Sequence, residues 1–212
     1  MITNESVQSY VTKVASGDPT PGGGSVAALA GSLGTALTSM VGNLTIGKKV
    51  YEELDEDVKK KMDEDFAELQ KSIERLNQIV HEDTTAFDGV MQAFKLPKET
   101  EEEKTKRSEA IQEGYKVALE VPLKAAEECF RVLKLQRVFA DYGNVNAITD
   151  VGVGALLAAA GVEGSLFNVK INLLSIKDKE YKDRIEEKME QLLQDGKKLR
   201  DSILETVYKR LG

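Results

Sequence analysis

Between Asp18 and Lys48 the chain carries no charge. The stretch "PTPGGGSVAALAGSLGTALTSMVGNLTIGKK" opens on consecutive glycines, continues mostly in Ala, Gly, Ser and Thr, and ends on paired lysines. A run of that length is long enough to raise a membrane span. Its side chains argue otherwise. Ser25, Ser32, Thr35, Thr38, Ser39, Asn43 and Thr45 are polar, and most of the rest is Ala or Gly rather than Leu, Ile or Phe. Small side chains let helix backbones approach one another closely. The expectation is a core helix with no membrane partner, its N-cap at Gly24 or Ser25, where a serine hydroxyl can satisfy free backbone N–H groups.

The surrounding pattern is helical throughout. From Asp55 an apolar stripe runs through Val58, Met62, Phe66, Leu69, Ile73, Leu76, Val80, Phe87, Val90 and Phe94 in steps that keep one helix face. Pro97 ends it. "TEEE" from Thr100 reads as a capping box, opening a helix in which Pro122 predicts a kink. A small-residue helix follows from Ala147 to Ala160, closed by Gly161, and the last helix carries Tyr181, Ile185, Met189, Leu192, Leu199, Ile203 and Val207. Alternating strand patterns are absent. The fold class is therefore all-α: an elongated bundle of six to eight helices forming a single domain over residues 1–212. If 55–94 is one helix, it is roughly 60 Å long at 1.5 Å per residue, against about 45 Å for a compact sphere of this chain. Such a helix protrudes unless the bundle is elongated or a second copy covers it; a homodimer is the preferred expectation, and a break in the helix would remove the argument.

Composition removes several functions. The formal net charge of −7 disfavours nonspecific nucleic-acid binding, which rests on clustered Lys and Arg. Cys129 is the single cysteine, so no intrachain disulfide forms. With neither a basic start nor an apolar run in "MITNESVQSY", the expected location is cytoplasmic. "GNLTIGK" at Gly42–Lys48 approaches a phosphate-binding loop, but Lys49 stands where Ser or Thr must ligate magnesium, and no strand precedes it. A carboxylate di-metal bundle needs paired Glu-x-x-His motifs, whereas His81 is the lone histidine and falls about 100° off the apolar stripe. No metal is expected.

Two carboxylates do not fit their surroundings. Asp83 lies between Val80 and Phe87 on the apolar face, and Asp150 is the only charge from Tyr142 through Val162. A buried carboxylate must find hydrogen-bond partners, shift its pKa upward or face a cavity. Asp83 can alternatively cap a broken helix, and Asp150 can be the N-cap of "VGVGALLAAA". Two shielded carboxylates sharing a cleft point to an acid–base enzyme acting on a small molecule.

"PTPGGGSVAALAGSLGTALTSMVGNLTIGKK", "EDTTAFDGVMQAFK" and "YGNVNAITDVGVGALL" followed by "NVKINL" resemble, in that order, the formiminotransferase-cyclodeaminase C-terminal family in standalone form. Thr149-Asp150 departs mildly from the Ser-Asp common among relatives. The resemblance implies an all-helical dimer that binds a tetrahydrofolate and needs neither metal nor redox cofactor. It implies a methenyltetrahydrofolate cyclohydrolase, which adds water to the methenyl bridge, or a formimidoyltetrahydrofolate cyclodeaminase, which closes that bridge with loss of ammonia. On this resemblance Asp83 is the general acid/base and Asp150 holds the pterin ring. Gly22, Gly23, Gly24 and Ser25 either let the ligand approach backbone N–H donors or form a tight packing turn. Lys48 and Lys49 either meet an anionic folate tail or complement a helix C-terminus. Asn43, Asn144 and Asn146 line the same cleft or satisfy backbone groups. A catalytically silent helical dimer that binds folate or a partner folate enzyme is the alternative function.

Overall fold

The computed structural model describes residues 2–212. Eight α-helices follow in order: α1 (Val7–Val14), α2 (Gly23–Asn43), α3 (Lys49–Glu52), α4 (Glu56–Glu82), α5 (Asp88–Phe94), α6 (Glu101–Tyr142), α7 (Ile148–Leu173) and α8 (Lys179–Leu211). Short 3-10 turns occupy Ile2–Asn4 and Val145–Ala147, and no strand forms among the described residues. The capping box is as expected: Glu103 N–H donates to Thr100 Oγ1, and Thr100 N–H to the Glu103 carboxylate. From there α6 runs through the buried Pro122 without interruption, about 63 Å at 1.5 Å per residue, which makes the bundle elongated.

α2 and α7 form the centre and run antiparallel. A Cβ added at Gly34 would lie 2.5 Å from Gly154 O, one at Gly164 would lie 3.1 Å from Ala27 Cβ, and one at Gly23 would approach Asn168. These helices touch backbone to backbone, which larger residues forbid. Gly161 is therefore an interior packing residue rather than a terminator, because a Cβ there would lie 2.6 Å from Cys129 Sγ and 3.0 Å from Ala27 O. Helix α7 continues past it to Leu173. The polar residues of α2 are accommodated locally: Thr35, Thr38 and Thr45 donate to the carbonyls of Gly31, Gly34 and Val41, and Ser32 donates to Asn77 Oδ1. By length and composition α2 and Val145–Leu173 are apolar enough to cross a membrane, but each packs against three other helices of the bundle.

The stripe at 55–94 is not one helix. It breaks after Glu82 and resumes at Asp88, leaving α4 about 40 Å long. The expected 60 Å protrusion is absent, and with it the helix-length argument for a dimer.

Candidate active site

Local chemistry ends α4. Thr84 Oγ1 donates to His81 O and Thr85 Oγ1 to Glu82 O, so hydroxyls satisfy carbonyls that the next turn of helix would have used. Asp83 is the residue at the break. Because α4 runs antiparallel to α2, with Ser25 against Val80 and Ser32 against Asn77, the break sets Asp83 against the N-terminus of α2. The apolar register carries Asp83 to the core side, and the break turns that position into the wall of a cleft.

The glycines explain how close the approach is. A Cβ at Gly24 would sit 2.2 Å from Asp83 Oδ1, whereas at Gly23 the nearest atom would be Asn168 Nδ2 at 3.6 Å. Gly24 thus makes room for the carboxylate of the protein itself. None of the three glycines has a positive φ. The N-cap is Gly22, not Gly24 or Ser25. Ser25 is spoken for elsewhere: its hydroxyl donates to Val80 O at 3.1 Å, and Tyr10 Oη lies 3.0 Å from it. The Ser25 backbone N–H lies near the Asp83 carboxylate and favours its charged form.

The cleft measures about 420 Å³. Gly22–Gly24 form one wall, and Asp83 and Phe87 come from the α4–α5 turn. Tyr115 and Pro122 come from the middle of α6, and Asn168 and Asn172 from the last turns of α7. Phe87 and Tyr115 stand edge to face, ring centroids 5.9 Å apart. Asn168 and Asn172 each donate their amide to the carbonyl four residues back, leaving their side-chain oxygens as acceptors. Burial pushes the Asp83 carboxyl above its usual range, and the Ser25 N–H opposes that only in part. Two helix C-termini, of α4 and α7, end at this cleft with their negative poles toward it, and the positive N-terminus of α2 supplies the Ser25 donor.

The remaining sequence candidates lie at the other end of the molecule. Asp150 is half-buried in the first turn of α7, eighteen residues before Asn168 and so about 27 Å away along the helix. Asn144 is fully engaged: its N–H donates to Thr45 Oγ1, its side-chain amide to Leu44 O, and its Oδ1 accepts the Asn146 N–H. Asn43, Lys48 and Asn146 are exposed at the same end, and Lys49 faces Glu53 at 3.7 Å. Within one protomer, then, Asp83 and Gly22–Ser25 come together, while Asp150, Asn43, Lys48, Asn144 and Asn146 gather elsewhere. Asp83 and Asp150 do not share a cleft inside one chain. His81 is exposed as expected, and no group of three or more metal-ligating side chains gathers among the described residues.

Sequence reasoning missed Phe87, Tyr115, Asn168 and Asn172 as cleft residues. Asn168 and Asn172 carried a usable signal, being four apart and so on one face of an apolar helix. Tyr115 sits among the charges of α6 and carried none.

Residues 6–191 match the model of the formiminotransferase-cyclodeaminase family. The chain is similar to the methenyltetrahydrofolate cyclohydrolase of Methylorubrum extorquens, 39% identical over 213 residues and covering 100% of both. It is similar also to the formimidoyltransferase-cyclodeaminase of Mus musculus, 36% identical over 92% of this chain but only 36% of that protein. Its structure resembles the crystal structure of formiminotetrahydrofolate cyclodeaminase from Thermotoga maritima, with a TM-score of 0.79, 27% identity, and coverage of 100% of this chain and 98% of that one. A family match across most of the sequence and full-length similarity to relatives of the same size agree with the helical architecture: this chain belongs to the formiminotransferase-cyclodeaminase family.

Proposed function

We propose that this protein is a tetrahydrofolate one-carbon enzyme, working as a methenyltetrahydrofolate cyclohydrolase with Asp83 as its general acid/base. The observation that carries the reading is a single half-buried carboxylate set against the first turn of α2 in a cleft, with its pKa raised by partial burial. Hydration of a methenyl bridge needs a group that takes one proton from the attacking water and delivers it to the departing nitrogen, while the second water proton is released to solvent as the formyl carbonyl forms. A carboxyl with an elevated pKa performs both transfers near neutral pH better than an ordinary aspartate. The substrate bridge is cationic, and the carboxylate together with two helix C-termini favours that charge. Phe87 and Tyr115 offer aromatic walls to a flat ring, while Asn168 and Asn172 offer acceptors to its amino and ring N–H groups. Neither metal nor redox cofactor enters this chemistry.

A second reading has its own support. The Thermotoga maritima neighbour is a formiminotetrahydrofolate cyclodeaminase, and ring closure with loss of ammonia also passes through a tetrahedral carbon between two nitrogens, with one group moving a proton from the attacking N10 to the departing ammonia. Purified protein supplied with each folate separates the two. Loss of the near-ultraviolet methenyl absorbance marks the cyclohydrolase, its appearance from the formimidoyl substrate marks the cyclodeaminase, and folate binding without either change marks a silent binder.

The working unit in this proposal is a cytoplasmic homodimer. Val26, Leu33 and Met40 recur every seven residues on α2, and Val153, Leu156, Phe167, Ile171 and Leu174 follow one face of α7; all are exposed. Apolar stripes along two adjacent helices are an interaction surface, and a second copy matches such a surface by symmetry. Because the stripes reach from the Asp83 end of α2 and α7 toward their Asp150 end, a two-fold axis across their middle sets the Asp83 end of one protomer beside the Asp150 end of its partner. Asp150 then reaches the pterin from the neighbouring chain, with Asn43, Lys48 and Asn146 around it.

A further inference from the structure

Behind the wall that carries Asp83 lies a small apolar cluster separate from the main core. Tyr10 of α1, Ala28 of α2, Ile79 and Val80 of α4 and Ala125 of α6 are its buried members. Tyr10 is the one buried residue of α1, whereas Val7, Val11 and Val14 are exposed. Its ring packs in the cluster, and its hydroxyl makes a more specific connection. Tyr10 Oη lies 3.0 Å from Ser25 Oγ, and Ser25 Oγ donates to Val80 O at 3.1 Å. A serine hydroxyl has a single hydrogen, and here Val80 O takes it. Tyr10 is therefore the donor to Ser25. The bonds run one way, from α1 through α2 to the backbone of α4.

The receiving carbonyl is the one that the helix end releases. Asp83 N–H still donates four residues back, to Ile79 O at 2.9 Å, but Thr84 N–H turns to His81 O at 3.2 Å. Val80 O is thus the first carbonyl of α4 that the helix itself leaves unused. Ser25 and Val80 are both fully buried, so water does not replace the missing donor and the serine hydroxyl supplies it. We infer that Tyr10 and Ser25 are positioning residues, which act through the Val80 carbonyl to clamp the last turn of α4 against α2 and so hold Asp83 at the wall of the cleft. The inference deepens the folate reading above, in which Asp83 moves the proton, and rests on it. It also separates Ser25 from its glycine neighbours: Gly22, Gly23 and Gly24 line the cleft, while the Ser25 side chain faces the cluster behind it.

Tyr10→Phe, which removes only the hydroxyl, Ser25→Ala and their combination test it. With the folate that the wild type turns over, kcat should fall about threefold to tenfold in Tyr10→Phe and about tenfold or more in Ser25→Ala, as for a slightly misplaced catalytic group. KM should stay within about twofold, because neither hydroxyl reaches the ligand. The double variant should match Ser25→Ala, because Tyr10 acts only through Ser25. Amide hydrogen exchange gives a readout that needs no substrate: residues 79–84 should exchange about tenfold faster in both single variants, while the rest of α4 keeps its protection. A Ser25→Ala protein with lowered Tm and unchanged kcat would overturn the inference and leave the folate reading standing, and so would a double variant whose losses multiply. If the wild type turns over no folate, the folate reading falls and exchange alone decides the clamp. Faster exchange at 79–84 then keeps it, and unchanged exchange overturns it.

Discussion

Asp83 and Gly24 are coupled by packing, since the carboxylate occupies the space where a side chain at Gly24 would begin, and in the proposed mechanism that couples Gly24 to turnover. Gly24→Ala should therefore displace Asp83 and lower turnover by about 10²-fold, the cost of misplacing a catalytic group by an ångström. Gly23→Ala, whose Cβ meets only ordinary contacts, should leave turnover near wild type; equal losses in both variants would refute the close-approach account. Asp83→Asn keeps the acceptor for Ser25 N–H but cannot ionise, so turnover should fall roughly 10²- to 10⁴-fold. With burial holding the Asp83 carboxyl above its usual range, wild-type turnover should rise with pH through that elevated pKa. The stability linkage has a definite sign. The folded state holds the proton more tightly than the unfolded one, so this group lowers stability as pH rises from the ordinary carboxylate pKa through the elevated one. Asp83→Asn should accordingly raise Tm at neutral pH and lose that advantage in acid, which thermal melts at two pH values will show.

At the scale of elements, the sequence announced helices well and their ends less well. The stripe of α4 was legible because burial follows its period, and Asp83 stood out because it violated that period. The break beside it was not legible, since two threonine hydroxyls outcompete the helix there while the apolar spacing continues into α5. Gly161 misled for a related reason. A glycine reads as a helix stop until the partner helix is known, and here its missing Cβ admits Cys129 and the backbone of α2. Cys129 lies between the two glycines, 2.3 Å from a Cβ built at Gly31 and 2.6 Å from one at Gly161. Burial pushes its thiol up to about 12, so its role is packing. Gly31→Ala should destabilise by about 1–3 kcal/mol through overpacking. Every other neighbour of that Cβ is at ordinary distance, so adding Cys129→Ala should recover much of the loss. Denaturant melts of the four-membered cycle should show a coupling of the order of 1 kcal/mol; simple additivity would mean the two sites do not collide.

The whole molecule raises the question of why so much apolar surface stays exposed on its two central helices. Helix length, the sequence argument for a dimer, fails because α4 is broken, yet the exposed stripes on α2 and α7 supply an independent one. The site residues that sequence patterns pointed to also divide between the two ends of the protomer, a separation no one-dimensional reading reveals because it depends on α2 and α7 running antiparallel. A two-fold dimer through those stripes accounts for both facts. Light scattering should report about twice the 23.3 kDa chain mass, and Leu33→Glu/Leu156→Glu should yield monomers without turnover, because charges buried in an apolar interface are unpaired. Complementation tests the sharing directly. Asp83→Asn and Asp150→Asn homodimers should each be nearly inactive or bind substrate poorly. When the two chains are co-expressed with different tags and the mixed dimer is isolated, one of its two sites combines the intact Asp83 of one protomer with the intact Asp150 of the other. Such hybrids should recover about half the wild-type turnover per dimer. Hybrids no more active than the parent variants would show that Asp150 does not serve the Asp83 cleft across the interface, whatever the oligomeric state.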